Sequence, residues 1–531
     1  MSTSPSSGGV DLGDPADASD PTVHDARQRR TILIAVCIAL MAVIASVTGL
    51  NVAQPELAVE FGASQSTVLW FINLYTISLA ALLLPLGALG DRIGRKPVLL
   101  IGLAVFGAAN VAAGVATSSE MLLASRLAAG VGAAMIMPVT LAVITATFPP
   151  EDRAKGIGVW TGVAGGGGIL GMYLSALLVD VATWRCLFIV PVVLVLIAAA
   201  AIVRSVPNSR EGAEHRIDMV GSITSVLAVI GLIFALQESP VRGWTEPATL
   251  IGLLGGVLAA VAFVLWELRQ VAPLLDVRLF GERGLASGSV SLLAVFGVQA
   301  GILVVLFPFL QAVLGWSALR ATLGMMPMAL LMMIASGLAP RVAVRVGARA
   351  TMATGIVLVG AGLALMASLV SVDGGYLSVL PGMLAMGLGM GWSMTPSTEA
   401  ITSALPRERQ GVASALNDVT REFGTALGVA LLGAILSASY RHAIDGRLVG
   451  VPEDLADTAR EGVANAVAAA DGAGPHAQAL VRAAQDSFVD AWQHAMWVGA
   501  AVMVVLFVFV LARGPRRAAV PADAVTGDDR R

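Results

Sequence analysis

The chain has 531 residues, of which 56 % are hydrophobic and 13 % charged, and its mean hydropathy of +0.82 exceeds what a soluble core can bury. These values exclude an ordinary soluble domain and point to an integral membrane protein. The formal net charge of -3 says little in sum, because in a membrane chain the distribution of charge among loops carries the information.

Residues 1–30 are rich in Ser, Gly, Asp and Pro and end in "DARQRR". They have the composition of a disordered cytoplasmic tail and lack the apolar stretch of a signal peptide. From Thr31 onward apolar runs recur at 31–53, 68–90, 97–117, 121–146, 156–180, 184–204, 219–237, 248–267, 285–311, 319–340, 350–370, 376–402, 411–438 and 488–512. At about 1.5 Å per residue each is long enough to cross a hydrocarbon layer of about 30 Å. The pattern predicts an all-α membrane protein with fourteen spans. Cys37 and Cys186 lie in or beside these runs, which speaks against a disulfide framework or a thiolate metal site.

Threaded in order, the spans place Arg27, Arg29, Arg30, Arg92, Arg95, Lys96, Arg153, Lys155, Arg204, Arg210, Arg216, Arg278, Arg283, Arg341, Arg345, Arg349, Arg407, Arg409, Arg516 and Arg517 on one side. By the positive-inside rule that side is cytoplasmic, and both termini fall there. The opposite connections, such as "QPELAVEFGASQST" and "SSE", carry acid or nothing. The long outside segment 439–487 is Ala- and Asp-rich with patchy helical periodicity and reads as a small extracellular cap.

The chain repeats itself weakly. "GDRIGRKPVLLIG" follows the second span and "AVRVGARATMATG" the tenth, aligning Arg92, Gly94 and Lys96 with Arg345, Gly347 and Arg349. Parallel repeats about an axis normal to the membrane build one large transporter class around a midplane site. The expected division is a six-helix half at 31–204, two additional helices with linkers at 205–284, a second six-helix half at 285–512, and a cytoplasmic tail at 513–531.

Within "GALGDRIGRK", Gly87 allows close helix packing, Gly94 permits a left-handed turn, and Arg95 and Lys96 can reach lipid phosphates. Asp91 gains nothing beside anionic lipid. Its natural partner is a cation or the positive end of a helix at the same face, a contact able to close a cytoplasmic gate. Simple topology anchoring is the alternative.

This loop resembles the signature loop of the major facilitator superfamily, and its surroundings resemble the fourteen-helix drug:proton antiporter branch. The resemblance extends from Thr31 to about Ala512 and is carried further by "VLWFINLYTISLAALLLPLGALGDRIGRK", with Trp70 and Tyr75, by "ASRLAAGVGAA", with Arg126 and Gly130, and by "GVASALNDVTREFGTALGVALLG". It implies alternating access between two six-helix halves. It also implies that Gly87, Asp91, Arg92, Gly94, Arg95 and Lys96 form a gate, with the Asp91 carboxylate meeting the start of the 411–438 helix, and that Arg126 is a buried cation concerned with protons.

The sequence departs from the family pattern at several positions. Ser46 stands where the branch often has an aspartate, and Asn73 where some cation exporters have an acid. The fifth-helix antiporter motif is altered to "GGGGILGMYLSA", with Met172 in place of its proline and Ser175 and Ala176 in place of its glycine pair. The four glycines at 165–168 suit a flexible or closely packed helix face, since no Lys-Ser or Lys-Thr follows them.

Ionisable residues at bilayer depth are costly and functional by default. Asp418, Arg421 and Glu422 cluster in the thirteenth span, with the acids four apart on one face. Either one acid pairs with Arg421 while the other takes up protons, or the three form a fixed structural network. Glu399 reads as a solvated helix end. Trp70, Tyr75, Gln311, Trp392 and Asn417, with Ser46 and Asn73, are the substrate-contact candidates, beside methionines in "MMPMALLMMIASG" and "GMLAMGLGMGWSM" whose thioethers adapt to apolar shapes. Gly387, Gly389 and Gly391 with Pro381 and Pro396 suggest helices that bend.

The expected function is export of amphipathic drugs or natural products across the cytoplasmic membrane, in exchange for protons. A facilitator or lipid exporter without proton exchange, and a non-transporting sensor, are the alternatives. The expected partners are a small-molecule substrate, protons and the lipid bilayer, for a monomer that binds no nucleic acid. No Walker lysine motif, catalytic constellation or His/Cys cluster occurs, so an ATP-driven pump, an enzyme, a cofactor and a metal are not expected.

Overall fold

A computed structural model describes residues 22–209, 218–448, 451–470 and 477–515. Arg210, Arg216, Arg516, Arg517 and most of both expected tails lie outside them. The described residues form seventeen α-helices: α1 (Ala26–Val52), α2 (Gln54–Glu60), α3 (Gln65–Ile93), α4 (Arg95–Gly114), α5 (Ser119–Thr147), α6 (Pro150–Val181), α7 (Ile189–Ser205), α8 (Met219–Arg242), α9 (Pro247–Glu267), α10 (Arg283–Pro308), α11 (Ala318–Val346), α12 (Ala348–Leu369), α13 (Gly375–Ser403), α14 (Gln410–Asp445), α15 (Glu453–Glu461), α16 (Val463–Ala470) and α17 (Ala477–Arg513). Among the described residues fourteen helical segments are long and apolar enough to cross a membrane, the number expected from hydropathy.

Local sequence starts several of these helices. The side chains of Asp25, Ser64, Ser118, Asp218 and Ser317 each accept a backbone N–H of the first turn, and Glu246 accepts two. The expected ends shift where helix continues past the apolar run. The thirteenth span extends to Asp445, and the fourteenth begins at Ala477. Much of 439–487 is therefore helical, with α15 and α16 lying between those extensions. It is tied down by the Tyr440 hydroxyl donating to the Ala459 carbonyl at 2.9 Å and by Arg460 meeting Asp445 at 2.8 Å.

The weak sequence repeat reappears as packing. In one group of six, α4 packs on α5, α3 on α5, α1 on α6 and α7, and α4 on α7. In the other, α12 packs on α13, α11 on α13, α10 on α14 and α17, and α12 on α17. The correspondence runs helix for helix in the same order, as a parallel repeat requires. Gly94 and Gly347 occupy matching turns with φ of 116° and 96°, backbone that side-chain-bearing residues rarely adopt.

Two seams join the groups, α6 against α11 and α13, and α14 against α3 and α5. At the first, Gly158 and Gly162 form part of a stripe along α6. A Cβ on Gly158 would lie 2.8 Å from the Ser336 carbonyl, and one on Gly162 would lie 3.1 Å from that of Met333. Of the run at 165–168, Gly166 belongs to this packed face, a Cβ there falling 3.1 Å from the Ala329 carbonyl, whereas Gly167 and Gly168 face Met41 and Thr48 of α1. The glycines of α13 pack in the same way, and Pro381 and Pro396 lie inside this helix. A Cβ on Gly387 or Gly391 would stand 2.6 Å from a backbone oxygen of α11. The methionines Met325, Met328, Met332, Met383, Met386, Met390 and Met394 are buried core between these helices.

The second seam is shared with α8, which touches both α3 and α14. Ile233 and Val229 of α8 bury against Ile77, Ala80 and Ala81 of α3. Its hairpin partner α9 approaches through glycine, a Cβ on Gly231 falling 2.7 Å from the Gly252 carbonyl.

Candidate functional site

The turn between α3 and α4 and the start of α14 meet at the face that carries Arg95, Arg407 and Arg409. The Asp91 carboxylate accepts the Gly411 N–H at 2.8 Å and the Val412 N–H at 3.1 Å. It thereby satisfies free donors at the positive end of a 36-residue helix. Arg95 Nη2 donates to Asp91 Oδ1 at 3.2 Å and to the Arg407 carbonyl at 3.1 Å, so it ties the acid and the opposing loop together. Asp91 is 9 % exposed and Arg95 1 %. A Cβ on Gly87 would lie 2.6 Å from the Gly411 carbonyl, so the absent side chain is what lets α3 and α14 touch. Lys96 donates to the Val203 carbonyl of α7 at 2.9 Å. Arg92 is exposed. At the repeat position matching Asp91 stands Val344, which is 85 % exposed, so the acid clasp belongs to one seam alone.

Arg126 is wholly buried and has neutral partners. Its guanidinium donates to the Phe71 carbonyl at 2.9 Å, to the Ser46 hydroxyl at 2.9 Å and to the Ser46 carbonyl at 3.2 Å, and it lies over the Tyr75 ring at 4.2 Å. The Tyr75 hydroxyl is spent on the Val43 carbonyl at 3.2 Å. Ser46 and Tyr75, expected as substrate contacts, thus form the shell of Arg126.

A cavity of about 620 Å³ opens between the two groups of helices. Its wall includes Val43, Val47 and Thr48 of α1, Leu69, Asn73 and Thr76 of α3, Gly165 of α6, Phe296 and Gln299 of α10, and Arg421, Glu422 and Thr425 of α14. It rises past Ser66, at the start of α3, to Glu238 and Arg242 at the end of α8, the helix ends remote from Arg95. The Asp91 contact with α14 and this distribution together place the cavity mouth away from the basic face.

Arg421 is held from three directions. It meets Asp418 at 3.2 Å, donates to the Ala164 carbonyl at 3.3 Å, and lies over the Phe296 ring at 4.6 Å. Asp418 is fully buried, and its Oδ2 finds no hydrogen-bond partner. Glu422, one turn along, stands in the cavity wall. The two acids therefore occupy different settings. One is locked to the arginine and the other faces open space.

Of the remaining substrate candidates, Asn73 lies in the wall. Trp70 packs on Phe234 of α8 with ring centroids 6.0 Å apart, and Asn417 donates to Asp418 at 3.3 Å. Gln311 sits in a π-helical stretch, Phe309–Val313, and Trp392 is half-buried in α13. Neither belongs to the wall, and none of the methionines of α11 and α13 does. A span fixes depth but leaves the facing direction about its axis undetermined. Gln299, which donates to the Gly165 carbonyl at 3.0 Å across the groups, and Glu238 were not anticipated. The seventh span as read from hydropathy ends at 237, one residue short of Glu238. Glu399 also differs from expectation, being half-buried in α13 with Arg153 of α6 as its electrostatic partner.

Among the described residues no group of three or more His, Cys, Asp or Glu side chains is arranged to hold a metal ion.

The family model for the Major Facilitator Superfamily matches residues 36–429. A methyl viologen resistance protein of Salmonella typhimurium is 31 % identical over 521 residues, covering 92 % of this chain and all of the relative. A multidrug efflux pump of Mycolicibacterium smegmatis is 32 % identical, covering 83 % of this chain and 87 % of the relative. A cephamycin export protein of Amycolatopsis lactamdurans is 33 % identical, covering 76 % and 84 %. Among solved structures, a bacterial homologue of the human lysosomal transporter Spinster superposes with a TM-score of 0.58 at 17 % identity, covering 93 % of this chain and all of that one. At that identity the likeness concerns fold.

Proposed function

Because the chain belongs to the major facilitator superfamily, we propose that it is a secondary active transporter that exports amphipathic drugs or natural products by alternating access, in exchange for protons. Its relatives are named for efflux or resistance. The single observation that carries the proposal is a cavity walled by both six-helix groups and shut at the basic face by the Asp91 clasp, with Glu422 in its wall. On this view the basic face is cytoplasmic, both termini lie inside, and the structure is the outward-open state of a monomer in the bilayer.

Export requires that the clasp break so that the cavity opens inward. Glu422 is the proton-binding group of the cycle. A carboxylate in a cavity of lowered dielectric is stabilised by a proton, and Arg421, already engaged by Asp418 and Phe296, offers it limited compensation. Proton uptake from outside would then accompany substrate release. Arg126 is a fixed cation that braces α1 against α3 and α5, its donors spent on neutral acceptors.

The test is substrate release from proteoliposomes with and without an imposed pH gradient. Release accelerated by the gradient is the expected result. Equal rates with and without it indicate a facilitator or an exporter without proton exchange, and no release indicates a non-transporting protein.

A further inference from the structure

The cavity is completed by α8, a helix with no counterpart in either group of six. Its last turns bring Gln237, Glu238 and Arg242 into the wall. Glu238 Oε2 lies 2.7 Å from Arg242 Nε, with the Glu238 side chain 12 % exposed and that of Arg242 43 % exposed. The adjacent Gln237 Oε1 is buried without a hydrogen-bond donor. The other acid of the wall, Glu422, stands beside an arginine fastened by Asp418, Ala164 and Phe296.

These two acid–base neighbourhoods differ in one respect that matters for a ligand. Removing the partner of a buried carboxylate is strongly unfavourable, but exchanging one cation for another leaves the carboxylate paired throughout. Arg242 can leave, because its guanidinium is already part-solvated and rehydrates on turning outward. Arg421 cannot leave without breaking three other contacts.

Resting on the export proposal, we propose that Glu238 is a cation-exchange subsite of the cavity, at which an organic ammonium or iminium group of an amphipathic substrate replaces the Arg242 guanidinium. The free Gln237 carbonyl oxygen is a second acceptor for the same group. The apolar body of the ligand lies against Leu69, Ile72, Ile233 and Leu236 of the wall. The added helix α8 thereby sets the charge preference of the cavity, independently of the positions in α1 and α3 where an acid is absent.

The experiment is equilibrium binding of two fluorescent probes to the purified full chain in detergent, ethidium as a permanent organic monocation and Nile red as a neutral amphiphile. Glu238→Gln is expected to lower the ethidium-to-Nile red affinity ratio by about tenfold, the scale of a hydrogen bond to a charged group. Arg242→Gln, which frees the carboxylate, is expected to raise that ratio, and Glu238→Asp to restore part of what Glu238→Gln removes. An unchanged ratio in Glu238→Gln overturns the proposal, as does loss of both probes in equal measure or a ratio that falls in Arg242→Gln. Binding in detergent requires neither transport nor a proton gradient, so failure of the export proposal shows separately, in the proteoliposome measurement.

Discussion

Asp91 and Gly411, 320 residues apart, meet at 2.8 Å, carboxylate to backbone amide. The acid occupies the position a capping side chain would take at the start of α14, but it is supplied by a helix of the other group. Capping of a helix by its own flank stabilises a helix, whereas capping across a seam stabilises one conformational state.

Asp91→Asn should impair export while leaving membrane insertion and abundance near the parental level. The amide accepts more weakly than the carboxylate and loses the pairing with Arg95. A charge-assisted hydrogen bond contributes about 1.5–3 kcal/mol, so the shut state should lose at least about tenfold in relative population. Labelling of an introduced cysteine on the basic side of the cavity, compared between variant and parent, measures the shift. Equal labelling with full export removes the clasp from the cycle.

Gly87→Leu should act on the same seam by bulk. With a Cβ already 2.6 Å from the Gly411 carbonyl, a full side chain holds α3 and α14 apart, and export should be lost in protein that is still inserted. Parental export in this variant would mean that the seam need not close.

Asp418→Asn and Glu422→Gln should have distinct consequences. The first leaves Arg421 buried without its ion-pair partner, a defect on the order of 3–5 kcal/mol, and should appear as a lower melting temperature in detergent. The second removes a cavity-facing acid and should leave thermal stability near parental while export stops responding to the pH gradient. Gradient-driven export at the parental rate in Glu422→Gln would place the coupling group elsewhere.

Ser46→Asp should change substrate charge preference by less than about twofold, because the new carboxylate meets the Arg126 guanidinium, now 2.9 Å from the Ser46 hydroxyl, before it meets a ligand. Efflux of ethidium relative to a neutral drug of similar size gives the comparison, and a large shift toward the cation would place Ser46 within reach of the cavity.

At the opposite face, Asp373 in the turn before α13 accepts two hydrogen bonds from Arg482 of α17, both at 2.8 Å, and the guanidinium holds its carboxyl below the usual carboxylate range. A depressed acid contributes stability above its unfolded pKa of about 4 and loses it as pH falls through the folded value. Asp373→Asn should therefore melt slightly below the parent at pH 7, with the gap narrowing as pH falls below about 4 and closing once pH is below the folded pKa. The difference should be small, since both side chains are exposed. A gap that persists in acid would show that the pair contributes nothing through its charge.

Hydropathy alone determined the number of spans, because the length of an apolar run answers directly to the thickness of the bilayer. The glycines of the gate loop and of its copy were legible for a similar reason, each marking a backbone turn that the structure makes at Gly94 and Gly347. Tertiary structure decided which side chains meet. Asp91 finds its amides 320 residues away, Ser46 faces an arginine 80 residues away, and the glycines of α6 face the backbone of α11. Such pairings depend on how each helix is rotated about its axis and on which helices become neighbours, and neither is encoded in the hydropathy of a single span. The place of α8 shows this most plainly. By sequence it is an added apolar helix, yet its lodging in the seam between α3 and α14 carries Glu238 into the cavity, because that seam leaves an apolar surface on Ile77, Ala80 and Ala81 which Val229 and Ile233 cover.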